Sequence, residues 1–261
     1  MELNRAYNTD CLTGMRDIPP GSVDMILCDL PYGVTARCGW DSPIDPSALW
    51  ELWGRAAKPG CAILLFGQGL FSARMIMSNE KMYRYTIIWE KTTPTGFLNA
   101  GRMPLRTHED IMVFYDRLPT YNPQKTSGHK RKASSASHKR GSLASPCYGG
   151  YGLTGYDSTE RLPGSVWRFA TDRQKLALHS TQKPLELCRY AIRTYSDPGD
   201  TVLDCCCGSG TTLLAAALEG RNFIGMDNGT CENRKSRYDG WAWADVSMER
   251  VREGLRGAGT A

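Results

Sequence analysis

Along most of the chain, short apolar runs alternate with helical periodicities, and the alternation fails only in the middle. Residues 23–29, VDMILCD, form an apolar run that ends in an acid shortly before Pro31, the pattern of a strand buried on both faces as it reaches a loop. Leu49, Trp50, Leu52 and Trp53 recur near helical spacing, which predicts a helix over 46–58 stopped by Pro59 and Gly60. A second buried strand is expected at 61–66 and a helix at 71–79. Strands at 83–90 and 109–115, separated by a Gly/Pro-rich stretch, predict a hairpin with a long loop. From 116 to 175 the periodicity disappears while Gly, Ser, Tyr and basic residues accumulate over a length that ordinary loops do not reach. Regular structure then returns as a helix at 184–195, a strand at 201–204, a helix at 211–219, a strand at 222–226 and a last helix around 247–256. Strands alternating with helices predict an α/β fold, a mostly parallel twisted sheet with helices on both faces and no internal repeat. The expected divisions are 1–116, an irregular insertion at 117–178, and 179–261.

The length of 261 residues suits one large domain or two small ones, and 41% apolar against 23% charged residues provides a packed core and excludes wholesale disorder. No stretch approaches the roughly 18 uninterrupted apolar residues of a membrane span. The opening MELNR lacks the basic-then-apolar order of a signal peptide, so a cytoplasmic location without membrane contact is expected. The ten cysteines include the run Cys205, Cys206 and Cys207 but no C-x-x-C pair and no spaced Cys/His quartet. They read as reduced thiols serving as small apolar residues, and no metal is expected.

The net charge of +5 is unevenly placed. Residues 124–140 carry six Lys/Arg and no acid, whereas in the rest of the chain acids exceed bases by one. This window reads as a flexible arm suited to a polyanion such as nucleic acid, although composition alone is equally compatible with a solvated linker.

Two motifs carry candidate chemistry. Residues 201–212, TVLDCCCGSGTT, run from strand to turn to helix, where glycines allow close backbone approach and a helix N-terminus offers unpaired N–H groups to an anion. The following strand ends in Asp227, at about the distance where an α/β cofactor site places the carboxylate that binds ribose hydroxyls. The pair fits S-adenosylmethionine better than NAD, because the third glycine of a dinucleotide fingerprint is replaced by Leu213. The second motif, Asp29, Leu30, Pro31 and Tyr32, follows the first buried strand. Pro31 biases Leu30 toward an extended conformation that can present its carbonyl beside the Asp29 carboxylate. Two acceptors next to an aromatic plane suit an exocyclic amine carried by a stacked base, while the plain alternative is a strand-ending turn with a partly buried Tyr.

Together with HSTQKPLEL at 179–187, these motifs resemble the amino-methyltransferases that modify DNA, in particular the β-group, in which the catalytic motif precedes the target-recognition region and the cofactor turn comes last. The resemblance covers about 5–116 and 179–230. It implies a class I methyltransferase-like fold with circularly permuted motif order, S-adenosyl-L-methionine as cofactor, and transfer of a methyl group to the N6 amine of adenine in double-stranded DNA. By the same resemblance Asp29, Leu30, Pro31 and Tyr32 are catalytic. Thr181, Gln182, Lys183, Gly208, Ser209, Gly210 and Thr211 hold the amino-acid end of the cofactor, Asp204 is a further cofactor-binding residue, and Asp227 binds its ribose. Asp10 resembles the family residue near the cofactor adenine and reads equally well as a turn residue. Lys130, Arg131, Lys132, Lys139 and Arg140 are expected to contact DNA phosphates. Two departures stand out: Cys205 and Cys206 replace the family's Pro-Phe, and Leu30 replaces the first proline of Pro-Pro. N4-cytosine methylation stays open, although family members acting on cytosine favour Ser at position 29. So do a non-enzymatic DNA-binding protein with a decayed fold, a homodimer and a cognate restriction endonuclease. Cytosine-C5 chemistry through Cys147 is disfavoured because Pro146 and Cys147 lie in the irregular stretch rather than after a strand.

Overall fold

The computed structural model describes residues 1–33, 42–135, 155–172, 182–234 and 236–258. Thr181, Lys139, Arg140 and Cys147 lie outside the described residues. Two compact units are present, Met1–Asn122 with Ser165–Ala261, and Pro123–Gly164.

The larger unit is built on an eight-stranded sheet. Its strands, in chain order, are β1 (Arg5–Asn8), β2 (Val23–Cys28), β3 (Ala57–Gly67), β4 (Tyr83–Thr95), β5 (Arg106–Phe114), β8 (Val166–Phe169), β9 (Thr201–Asp204) and β10 (Asn222–Asp227), and they lie side by side as β1-β10-β9-β2-β3-β5-β4-β8. Pairings are parallel throughout except where β5 meets β3 and β4, so β5 alone runs against the other strands. Both faces are covered. Met25 and Leu27 of β2 pack with α4 (Leu185–Tyr195), α5 (Thr211–Leu218) and α6 (Trp243–Ala258), contributing Leu187, Ala191, Leu213 and Val251. Ile26 and Cys28 face the other way, toward α1 (Cys11–Gly14), α2 (Pro46–Ala56) and α3 (Leu70–Ser78), with Leu49, Trp53, Phe71 and Met75. Burial on both faces is why β2 reads as a continuous apolar run rather than an alternating one.

The α/β architecture is the one expected. Differences are local and have physical reasons. The strand β1 is only four residues long and none of its side chains is fully buried, so it carries no hydrophobic signature. The edge strand β8 lies within the aperiodic stretch: only Trp167 is buried, and Val166, Arg168 and Phe169 give too short an alternation to register. The last helix starts at Trp243, ahead of the expected 247. Among the described residues no helix is long and apolar enough to cross a membrane.

The smaller unit carries a two-stranded antiparallel ribbon, β6 (Lys132–Ser134) against β7 (Tyr156–Ser158). It holds seven basic and two acidic residues, a balance equal to the net charge of the whole chain.

Candidate active site

The chain turns in opposite directions from two neighbouring strands. From β2 it proceeds to β3 on one side, and from β9 it proceeds to β10, which pairs with β1, on the other. The carboxyl ends of β2 and β9 therefore flank a topological switch point, where open α/β sheets leave a crevice. Asp29 directly follows β2, and Asp204 closes β9. Asp227 closes β10 and is in register with Asn8 of β1, two residues before Asp10. Acids separated widely in sequence are thus gathered at one edge.

Asp29 sits in a charge network. Its Oδ1 accepts a hydrogen bond from the Tyr32 hydroxyl at 2.7 Å, and its Oδ2 accepts one from Lys183 Nζ at 2.7 Å. Lys183 also lies 3.3 Å from Glu109, which in turn pairs with Lys91 at 2.6 Å. Lys183 is 8% exposed and Asp29 27%, so the pair is buried on the cationic side and partly open on the anionic side. Burial disfavours the Lys183 charge, yet Asp29 and Glu109 outweigh it and hold the ammonium above its ordinary value. Burial likewise opposes ionisation of Glu109, but Lys183 and Lys91 prevail and its carboxyl titrates below the ordinary range. The phenol of Tyr32 is pushed well up, first by burial and then by the Asp29 and Glu109 charges, so it remains a donor. The Tyr32 ring stacks on Phe71 at 4.6 Å between centroids and 29° between planes.

The glycine turn lies on the other side of the switch point. Gly208 and Gly210 both have positive φ, and a Cβ on Gly210 would stand 2.6 Å from the Cβ of Ser247 and 2.8 Å from its Cα. The turn is locked from outside: Ser247 Oγ donates to the Gly208 carbonyl at 2.8 Å, and Arg250 donates to the Ser209 carbonyl. Ser209 Oγ donates to Gln182 Oε1 at 3.2 Å, tying the turn to the segment before α4. Asp227 accepts the Gly208 N–H at 2.9 Å and the Gly229 N–H at 2.8 Å, which fixes its carboxylate against the turn. Asp204 accepts the Cys206 N–H at 3.1 Å, and its carboxyl is pushed well above the ordinary range, mainly by burial. Thr211 is the first residue of α5 and is buried.

Most of the expected residues converge here. Leu30 is buried, and Pro31 and Tyr32 are partly buried beside Asp29. Asp10 caps α1 by accepting the Thr13 N–H at 3.0 Å, in keeping with its reading as a turn residue. Lys183, grouped by sequence with the cofactor segment, aims its Nζ at Asp29. In the smaller unit Lys130, Arg131 and Lys132 are exposed, but Arg131 is engaged by Asp157 at 2.5 Å. Sequence reasoning missed Glu109, Lys91 and Phe71. Glu109 stands in the acidic pair Glu109-Asp110 on β5, with no spacing that ties it to Lys183.

A family model described as DNA methylase, and labelled for N6 and N4 methylation, matches residues 23–232. The chain is 42% identical over 250 residues to the DNA adenine methyltransferase YhdJ of Escherichia coli K12, covering 87% of this chain and 79% of that protein. It is 27% identical to the type II methyltransferase M1.MboII of Moraxella bovis, covering 87% and 92%. In fold it is similar to the crystal structure of the M1.HpyAVI–SAM complex, with a TM-score of 0.61 at 20% identity and coverage of 94% and 98%. A second similar fold is the cytosine-N4-specific PvuII DNA methyltransferase, with a TM-score of 0.61 at 13% identity and coverage of 95% and 92%. A match across most of the chain that includes both Asp29 and the glycine turn leaves no other assignment: the chain belongs to the DNA methylase family.

Proposed function

We propose that this protein transfers a methyl group from S-adenosyl-L-methionine to the exocyclic N6 amine of adenine within a specific DNA sequence. The observation that carries the reading is the Asp29 carboxylate, held by Tyr32 and Lys183, facing the glycine turn across the switch point. The names of the relatives, a DNA adenine methyltransferase and a type II methyltransferase, support the same reaction class.

Bound at this site, the cofactor supplies an electrophilic methyl group on a sulfonium. The N–H groups at the start of α5, after Gly208 and Gly210, would hold its carboxylate. Asp227, held against the turn by the Gly208 and Gly229 N–H groups, would accept the ribose hydroxyls. On the substrate side, Asp29 and the Leu30 carbonyl accept the two amine hydrogens and orient the nitrogen lone pair toward the methyl group. Tyr32, backed by Phe71, provides the stacking plane for a base taken out of the duplex. With the amine so oriented, the residues of this chain would support direct transfer without a covalent enzyme intermediate, the amine proton leaving to solvent. Lys130 and Lys132, with Lys139 and Arg140, contribute phosphate contacts, while base selection comes from neighbouring parts of the basic segment. A DNA substrate assigns the work to the cytoplasm, and a restriction endonuclease acting on the same site is the partner to look for.

The test is expression in a methylation-free host followed by sequencing that detects modified bases. N6-methyladenine at one recurring motif is the expected result. N4-methylcytosine would transfer the site to the other amine, and unmodified DNA together with no calorimetric binding of the cofactor would favour a non-enzymatic DNA-binding protein.

A further inference from the structure

The sequence offers no C-x-x-C spacing, yet the fold assembles cysteines from three separate places. Strands β2 and β9 are parallel neighbours with Ile26 opposite Leu203, so two residues further on Cys28 and Cys205 meet on the same face of the sheet. Their sulfurs are 3.4 Å apart. Cys206, next on the turn, joins them, and the Sγ atoms of Cys28, Cys205 and Cys206 all lie within 4.8 Å of one another. Cys11, the first residue of α1, packs in the same buried cluster beside Cys205 and Cys206 but is not one of the three close sulfurs. Tetrahedral zinc with bonds of about 2.3 Å to sulfur requires ligand sulfurs roughly 3.8 Å apart, so the Cys28, Cys205 and Cys206 sulfurs need adjustments of no more than about an ångström.

We infer that Cys28, Cys205 and Cys206, joined on binding by Cys11 as the fourth donor, form a binding site for a soft, thiophilic d10 metal ion, with Zn2+ the first candidate. Ligand number, ligand type and convergence support this. Three thiols already lie together, and Cys11 on the neighbouring α1 would complete a four-sulfur site of the structural kind. Cys206 is partly exposed and gives the ion a route in, whereas the other three are buried. Each thiol that ligates releases its proton to solvent, so affinity falls on acidification. The ion would pin α1 to β2 and to the turn after β9, one residue from Asp29 and next to Asp204.

The full chain, purified without chelator from cells grown with zinc, is expected to carry about one zinc per chain by elemental mass spectrometry. Cys28→Ser combined with Cys205→Ser should reduce that content at least tenfold, whereas Cys61→Ala should leave it unchanged. Because the double variant can misfold, the reduced wild-type chain is also titrated with Cd2+, which should give a saturable thiolate-to-metal charge-transfer band and protect Cys11, Cys28, Cys205 and Cys206 from alkylation. Absence of both co-purified zinc and the Cd2+ band overturns the inference. So does peptide mapping that finds a Cys28–Cys205 disulfide, two hydrogens lighter and metal-free, which would make the pair a redox couple instead.

Discussion

Replacing Lys183 with Met keeps most of the side-chain volume and removes the positive charge that lies 2.7 Å from Asp29 and 3.3 Å from Glu109. The side chains of Lys183 and Glu109 are 8% and 15% exposed, so water compensates neither well. Removing one partner of such a pair costs about 3–5 kcal/mol, since the other charge stays buried without its counter-ion. Lys91 remains 2.6 Å from Glu109, and Asp29 is 27% exposed, which places the expected loss at the lower end, about 3 kcal/mol. With a urea slope of about 3 kcal/mol/M, the midpoint should fall by about 1 M at pH 7. The pH dependence adds a second check. Lys183 titrates above its ordinary value in the fold, so its contribution is present below that value and is lost as pH rises through the folded one. Glu109 titrates below the ordinary range, so its contribution is present above that range and is lost as pH falls through the folded value. In the variant only Lys91 opposes the burial of Glu109, so Glu109 takes up a proton at higher pH and the gap to wild type narrows on acidification toward about pH 4. Adding Glu109→Gln should recover part of the loss, with a coupling of at least about 1 kcal/mol in the double-variant cycle. Urea unfolding followed by tryptophan fluorescence measures all of this. A Lys183→Met chain within about 0.5 kcal/mol of wild type at pH 7, or additive losses in the double variant, would refute the network.

Asp29→Ala should lower turnover by about 10² to 10³ while calorimetry shows cofactor affinity within a few-fold, and a variant with half of wild-type turnover would remove Asp29 from the mechanism. Asp227→Ala should weaken S-adenosylmethionine binding by about 1–3 kcal/mol and leave DNA affinity nearly unchanged; the reverse pattern in fluorescence titrations would assign Asp227 elsewhere. Gly210→Ala drives a Cβ to 2.6 Å from Ser247 at a φ of +76°, so a loss of about 1–3 kcal/mol is expected, and an unaltered Tm would contradict the close packing of the turn. Lys130→Ala with Lys132→Ala should flatten the log–log salt dependence of DNA binding by about 1.8, equally on cognate and non-cognate duplexes. Arg131→Ala should add less because Asp157 already neutralises it, and a solvated linker would leave slope and affinity untouched.

The parts of the fold legible in the sequence were those whose signal is local. Strands β2, β3, β9 and β10 are buried runs bounded by glycine, proline or an acid, and α2 and α4 carry apolar faces at helical spacing. Elements at the margins were not legible, because β1 has no fully buried side chain and β8 has one. The same distinction governs the site. Asp29, Tyr32 and the glycine turn announce themselves by what precedes and follows them, whereas the partners of Lys183 come from positions 154 and 74 residues away. The cysteine cluster failed a spacing test for the same reason, since its ligands come from α1, β2 and the turn after β9, and only the register of two parallel strands brings them together.

The charge network also changes how the Asp29 motif works. From sequence, its carboxylate and the Leu30 carbonyl look like two acceptors waiting for an amine. In the fold both Asp29 oxygens already have donors, the Tyr32 hydroxyl and the Lys183 ammonium. The two donors are not equally displaceable. Lys183 is buried, is shared with Glu109 and would leave two carboxylates facing each other if it moved. Tyr32 lies at the partly open side and gives up one hydroxyl bond, which an entering amine replaces with an N–H donated to the same oxygen. In the proposed reaction, substrate entry would be an exchange of donors at Oδ1, nearly neutral for an amine and unfavourable for a group without a hydrogen to donate, because Oδ1 would then remain unpaired. On the proposed reading, selection for an exocyclic amine would follow from the donors already held by the carboxylate, with Lys183 keeping the charge in place while Tyr32 yields.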